Sequence, residues 1–198
     1  MTLMKSSEFD LYRDDYEDMT SDKAYDWHSR LWRSSPSQDH VSLSKLDEFF
    51  REVDATHVME IGGWRGEAAE HVLGWNDGIS SWRNYEVCRE AANSPVFEDE
   101  RYHSIHHWVN PGSPFVMDGD TLVCSHVLEH MNEGQVEFVM RSTKARYLYV
   151  DVPLDRDEWS GTTCFHVFRG GWPRMSTLIE SVGFKKFMGG GMIAGYRR

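Results

Sequence analysis

At 198 residues the chain has single-domain length and interior enough for a seven-stranded sheet. It carries 21 Lys and Arg against 32 Asp and Glu, a net charge of −11, which disfavours a nucleic-acid partner unless one face is locally basic. No apolar run reaches membrane-spanning length, no charged-then-apolar leader opens the chain, and three scattered cysteines form no C-x-x-C pair, so the expectation is a soluble, cytoplasmic protein without a disulfide framework or zinc ribbon.

The first 20 residues are polar and acidic. Thr20-Ser21-Asp22 can cap a helix running from Lys23 to about Arg33, with Tyr25, Trp27, Leu31 and Trp32 as its large groups, and Ser34–Ser37 with Pro36 breaks it. Apolar residues at 43, 46, 49, 50 and 53 predict a helix that Ser42 or Ser44 can cap. Residues 1–50 are read as a helical lid or extension and 51–198 as the core domain.

The core alternates. Strands are predicted at about 57–61, 82–87, 102–106, 120–124 and 146–151, and helices at about 66–74, after Arg89, from Glu133 to Ser142 and over 173–182, ending at Gly183. A Pro/Gly loop at 111–114 precedes the fourth strand, and a long connection spans 153–171. Two last strands, 184–188 and 192–196, flank Gly189-Gly-Gly191 as a hairpin. Strands alternating with helices imply a mostly parallel, doubly wound α/β sheet, with the hairpin adding an antiparallel strand.

The segment His57-Val-Met-Glu-Ile-Gly-Gly-Trp-Arg-Gly66 carries the strongest functional signal. An apolar strand containing Glu60 runs into a glycine-rich turn that opens a helix, the place where α/β folds bind nucleotide-like ligands. Twenty residues after Gly66, a second short strand ends in Glu86, a carboxylate placed to accept both hydroxyls of a ribose. Together they indicate a nucleoside-containing cofactor. The dinucleotide pattern G-x-G-x-x-G fails mechanically: counted from Gly62 it requires glycine where Trp64 and Glu67 stand, and a pyrophosphate cannot approach the backbone past a Trp.

Glu60, Gly62 and Gly66 instead match the first motif, (E/D)-x-G-x-G-x-G, of the class I S-adenosylmethionine-dependent methyltransferases, with Trp64 departing at the middle glycine. Asp120-Thr-Leu-Val-Cys-Ser-His-Val-Leu-Glu-His-Met131 resembles the family's fourth-strand motif, Arg146–Pro153 its fifth strand, and His166-Val-Phe-Arg with Trp172–Phe184 its late segment. The resemblance runs from about residue 57 to the C-terminus. It implies a Rossmann-like methyltransferase fold, S-adenosyl-L-methionine as cofactor, and a small-molecule methyl acceptor whose receiving atom is oxygen, nitrogen or carbon. Glu60, Gly62, Gly63, Trp64, Gly66, Glu86, His107 and Ser125 are the implied cofactor contacts. A metal-assisted O-methyltransferase and a non-catalytic cofactor-binding module are the alternatives, the second because Trp64 could obstruct the turn.

Methyl transfer from a sulfonium needs alignment, exclusion of water and often removal of one proton. His126, Glu129 and His130 follow the fourth strand at a spacing that shares one helical face. They can form a structural hydrogen-bond network, or His126 can act as general base, with His166 as a second candidate. No metal is assigned. The alternative is a transition-metal set of His126, Glu129, His130 and His166, since His126 stands where metal-dependent relatives carry Glu.

Overall fold

The computed structural model describes residues 42–111, 117–152, 168 and 170–198. In chain order these form α1 (Leu43–Glu52), β1 (His57–Ile61), α2 (Glu67–Leu73), β2 (Ser81–Glu86), α3 (Arg89–Ala92), β3 (Tyr102–His106), β4 (Thr121–Ser125), a 3₁₀ turn (Leu128–His130), α4 (Glu133–Ser142), β5 (Tyr147–Asp151), α5 (Gly171–Ser181), β6 (Lys185–Gly190) and β7 (Ile193–Arg197). The expected helix at Lys23–Arg33 and the expected second catalytic residue, His166, lie outside the described residues.

One seven-stranded sheet in the order β3-β2-β1-β4-β5-β7-β6 organises the molecule. β1 to β5 pair in parallel, and β7 is antiparallel to both β5 and β6. The chain steps outward from β1 to β2 and β3, then returns to place β4 on the other side of β1. This reversal is the topological switch point, where open α/β sheets receive their ligands.

The sheet is covered on both faces because its strands are apolar on both. Met59, Ile61, Leu122, Cys124, Leu148 and Val150 point to one side, where they pack with Val136, Val139 and Met140 of α4 and Met175, Leu178 and Ile179 of α5. The residues between them, Val58, Val123 and Tyr149, point to the other side with Trp82. There they meet Leu46, Phe49 and Phe50 of α1 and Ala68, Ala69, Val72 and Leu73 of α2. The alternation is the period of two that a strand dictates. α4 begins at a complete capping box, in which Asn132 accepts from the Gln135 backbone and the Gln135 side chain accepts from the Asn132 backbone.

The boundary expected between residues 50 and 51 falls inside α1, whose apolar stripe is part of the core. Leu43, expected in that stripe, is 40% exposed. Ser42 occupies the N-cap position but makes no side-chain cap; its backbone N–H donates instead to Asp151 Oδ2 at 3.2 Å. Phe49 is fully buried, with its ring 5.3 Å from Phe50, 5.4 Å from Tyr149 and 6.0 Å from Phe187. Phe49→Ala is expected to lower unfolding free energy by about 3–5 kcal/mol in urea titration, the usual cost of emptying a core aromatic site. A loss below about 1 kcal/mol would show that α1 is detachable from the cooperative unit.

Candidate functional site

The turn between β1 and α2 departs from ordinary backbone at every second residue. Gly62, Trp64 and Gly66 all have positive φ, +71°, +49° and +92°. At two of these the glycine is required by contact as well as conformation. A Cβ at Gly62 would stand 2.9 Å from Cγ2 of Val127, which follows β4, so the loops after β1 and β4 touch at the switch point. A Cβ at Gly66 would stand 2.6 Å from the Tyr102 hydroxyl of β3.

The turn is held by side chains from β2. Gly62 N–H donates to the Tyr85 carbonyl, Gly63 N–H to Asn84 Oδ1 and Trp64 N–H to Glu86 Oε2, all at 2.9 Å. Arg65 N–H donates to Glu67 Oε2 at 3.2 Å and Gly66 N–H to the Gly63 carbonyl at 2.8 Å. Five consecutive N–H groups are thus already bonded within the protein. None of the five is left free for a ligand. A pyrophosphate would have to displace these bonds, whereas a ligand that brings its own donors finds carboxylate lone pairs. Asn84 was not singled out in the sequence. It is fully buried and also donates through Nδ2 to the Trp64 carbonyl at 3.1 Å and the Tyr102 hydroxyl at 3.2 Å.

Glu60 lies under the turn. Its β1 position points it toward the α2 side, its carboxyl lies against Gly63, and Oε2 accepts from the Trp82 indole at 2.8 Å. The carboxyl is fully buried, and Oε1 has no hydrogen-bond partner among the described residues. Burial pushes it up to about 8, opposed by the Trp82 bond and reinforced by the charges of Glu67 and Glu86. It supports the turn from below. Glu86, at the carboxyl end of β2, is 2% exposed and also accepts from Cys88 N–H at 2.7 Å. Burial pushes it up to about 7 although the backbone N–H bonds from Cys88, Trp64 and Val87 act in the opposite direction.

The Trp64 indole packs with Cys88 and Ala91 and is 7% exposed. It fills the space between the turn and α3. Next to Glu86, whose carbonyl accepts from His107 N–H at 2.8 Å, the His107 ring stands edge-on to Tyr85 with centroids 6.2 Å apart. Burial lowers the affinity of His107 for a proton.

Across the switch point, Ser125 ends β4 with its hydroxyl buried and without a hydrogen-bond partner among the described residues. His126 then turns into the left-handed region at φ +51°, held by its N–H donating to the Asp151 carbonyl at 2.7 Å. Its imidazole lies between two carboxyls, Nδ1 3.9 Å from Glu129 Oε1 and Nε2 3.7 Å from Asp151 Oδ1. His130 approaches the same Glu129 oxygen at 3.8 Å. The cluster expected on one α-helical turn is therefore a left-handed residue followed by a 3₁₀ turn, with buried Glu129 between the two histidines. Burial pushes Glu129 up to about 8, with the charge of Asp151 adding to the rise. Asp151 is raised by burial too, partly offset by the Ser42 N–H and the charge of His126. Among the described residues no group of three or more His, Cys, Asp or Glu side chains is placed to hold a metal ion.

Solved methyltransferase structures share this fold. A chain from the complex of the Haloferax volcanii Trm112 methyltransferase activator with a methyltransferase is 14% identical over 94% of this chain and 80% of its own, with a TM-score of 0.63. The N-methyltransferase NodS from Bradyrhizobium japonicum, in complex with S-adenosyl-L-homocysteine, is 14% identical over 88% of this chain and 98% of its own, with a TM-score of 0.60. The methyltransferase domain of bacterial CtHen1-CN is also 14% identical, over 79% of this chain and 97% of its own, with a TM-score of 0.57. The chain has the fold of the class I S-adenosylmethionine-dependent methyltransferases. No protein-family model matches the sequence, and no curated protein matches it.

Two outcomes follow from the turn and its buried acids. Trp64→Gly relieves a left-handed residue, worth about 1–2 kcal/mol, but removes a buried indole, worth about 3–5 kcal/mol. Net destabilisation of a few kcal/mol is expected in urea titration, and a gain in stability would mean that strain outweighs packing. Glu60, Glu86 and Glu129 have folded values of about 8, 7 and 8 against an ordinary 4.5, so the fold holds more protons than the unfolded chain between those limits. Stability is therefore greatest below the ordinary value and falls as pH rises through about 7–8. The urea midpoint should be lower at about pH 8.5 than at about pH 6, with Glu60→Gln reducing the difference. A higher midpoint at the alkaline pH would refute the assignment.

Proposed function

We propose that this protein is an S-adenosyl-L-methionine-dependent methyltransferase acting on a small-molecule acceptor. The observation that carries the reading is the saturated turn: its N–H groups are bonded internally and the acid beside it is a buried carboxylate, an arrangement suited to hydroxyl and ammonium donors and unsuited to phosphates. The fold and the switch-point location support it.

In this reading Glu86 accepts the ribose hydroxyls with lone pairs left beside its bonds to Trp64, Cys88 and Val87. Gly62, Gly63 and Gly66, supported by Glu60 and Asn84, shape the wall for the amino-acid end, and Trp64 fixes that wall from behind. His107 flanks the adenine. Ser125 offers its buried hydroxyl at the end of β4. The cofactor, when bound, supplies an electrophilic methyl on a sulfonium. His126 takes the acceptor's proton where the acceptor has one to lose, and Asp151, 3.7 Å from its Nε2, stabilises the resulting imidazolium. His166, outside the described residues, is the further candidate.

Calorimetric titration with S-adenosyl-L-methionine and S-adenosyl-L-homocysteine tests the proposal, followed by an acceptor screen. Both should bind, and Glu86→Ala should weaken them at least tenfold, since each charge-assisted bond is worth about 1.5–3 kcal/mol. Unchanged affinity in a variant that melts like the parent would remove the ribose assignment, and absence of binding in the parent would remove the proposal.

A further inference from the structure

The acidic chain has one corner of opposite sign. Lys144 and Arg146 precede β5, Lys185 and Lys186 open β6, and Arg197 ends β7. The pairing draws them together: Lys185 is opposite Arg197, Arg197 is opposite Tyr147, and Arg198 N–H donates to the Arg146 carbonyl at 2.9 Å. All five cations are exposed. Several cations elsewhere have carboxylate partners, Lys45 with Glu48, Arg83 with Asp118 and Arg174 with Glu133. Among the described residues, none of the five makes an ion pair.

We propose that this corner is a binding surface for single-stranded nucleic acid. Like charges gathered on neighbouring strands repel one another, so an unpaired cluster of this kind suits a polyanion that neutralises it. Two arginines also lie over aromatic rings, Arg146 5.2 Å from the Tyr147 centroid and Arg197 5.6 Å from that of Phe187. Arginine guanidiniums and the rings beside them are groups on which bases stack, a feature that an acidic peptide cannot use. The net charge of −11 does not forbid this contact, because charges beyond about 8–10 Å are screened at physiological salt. The corner lies at the amino end of β5, and the glycine turn follows the carboxyl end of parallel β1, so the two surfaces are at opposite edges of the sheet, about 16 Å apart along a five-residue strand. Cofactor binding and nucleic-acid binding are therefore separable.

The test is fluorescence anisotropy with a labelled oligouridylate about 20 nucleotides long, longer than the ~4–16-nucleotide footprints of such surfaces. The parent should bind at low salt. Arg146→Gln/Lys185→Gln/Arg197→Gln should weaken binding at least tenfold and reduce the slope of log affinity against log salt by about 2, at about 0.7 for each phosphate no longer neutralised. Lys45→Gln/Arg83→Gln/Arg174→Gln removes as much charge elsewhere and should leave both unchanged. Thermal melts and the single variant Lys185→Gln separate weakened binding from unfolding. Absence of binding by the parent, equal loss in both triple variants, or equally tight binding of polyglutamate or phosphatidylserine vesicles would each overturn the proposal.

Discussion

The rest of the molecule depends on one constraint: five successive backbone N–H groups between β1 and α2 must be satisfied in a turn too tight for ordinary backbone. The solution takes acceptors from β2. Asn84 and Glu86 are alternate residues of one strand face, and they reach Gly63 and Trp64 of the neighbouring loop. The register that pairs Glu60 with Asn84 therefore also sets the shape of the turn. Slipping β2 by one residue would turn both acceptors to the opposite face and leave buried donors unpaired. Sheet registration and site geometry are the same fact.

That solution concentrates acids where there is little water. Glu60, Glu86, Glu129 and Asp151 are all nearly inaccessible at or near the carboxyl ends of the central strands. Burying a carboxylate without full compensation is costly, and the proton affinity of each group rises accordingly. The ionised form of each acid gains from any donor that replaces the solvation folding removed. The same acids make the fold less stable at alkaline pH.

Much of this was legible in the sequence, and the legible part is what local chemistry encodes. Strand and helix periods placed every described element of the sheet within a residue or two, and Gly183 announced its left-handed position at the end of α5. Three features were hidden for identifiable reasons. Asn84 looks like an ordinary polar residue in a short strand, and only the β1–β2 register reveals that it braces the turn. Trp64 reads as an intrusion at a glycine position, yet its indole is buried against Cys88 and Ala91, a contact set by where α3 packs. The His126 cluster suggests a helical face by spacing, whereas the left-handed His126 and the following 3₁₀ turn place both histidines around Glu129. A proton-accepting or metal-binding arrangement cannot be told from spacing when the backbone between the residues is not helical.

The sheet also segregates charge by edge, which composition alone conceals. Its carboxyl edge gathers the buried acids and its amino edge, at β5, β6 and β7, gathers cations that make no ion pair among the described residues. A total of −11 is the sum of these unlike regions. Because screening confines each field to about 8–10 Å, a ligand arriving at one edge meets only that edge's charge. The carboxyl edge holds buried carboxyls and the amino edge exposes cations. The formal charge of the chain therefore ranks neither class of partner, and local arrangement does.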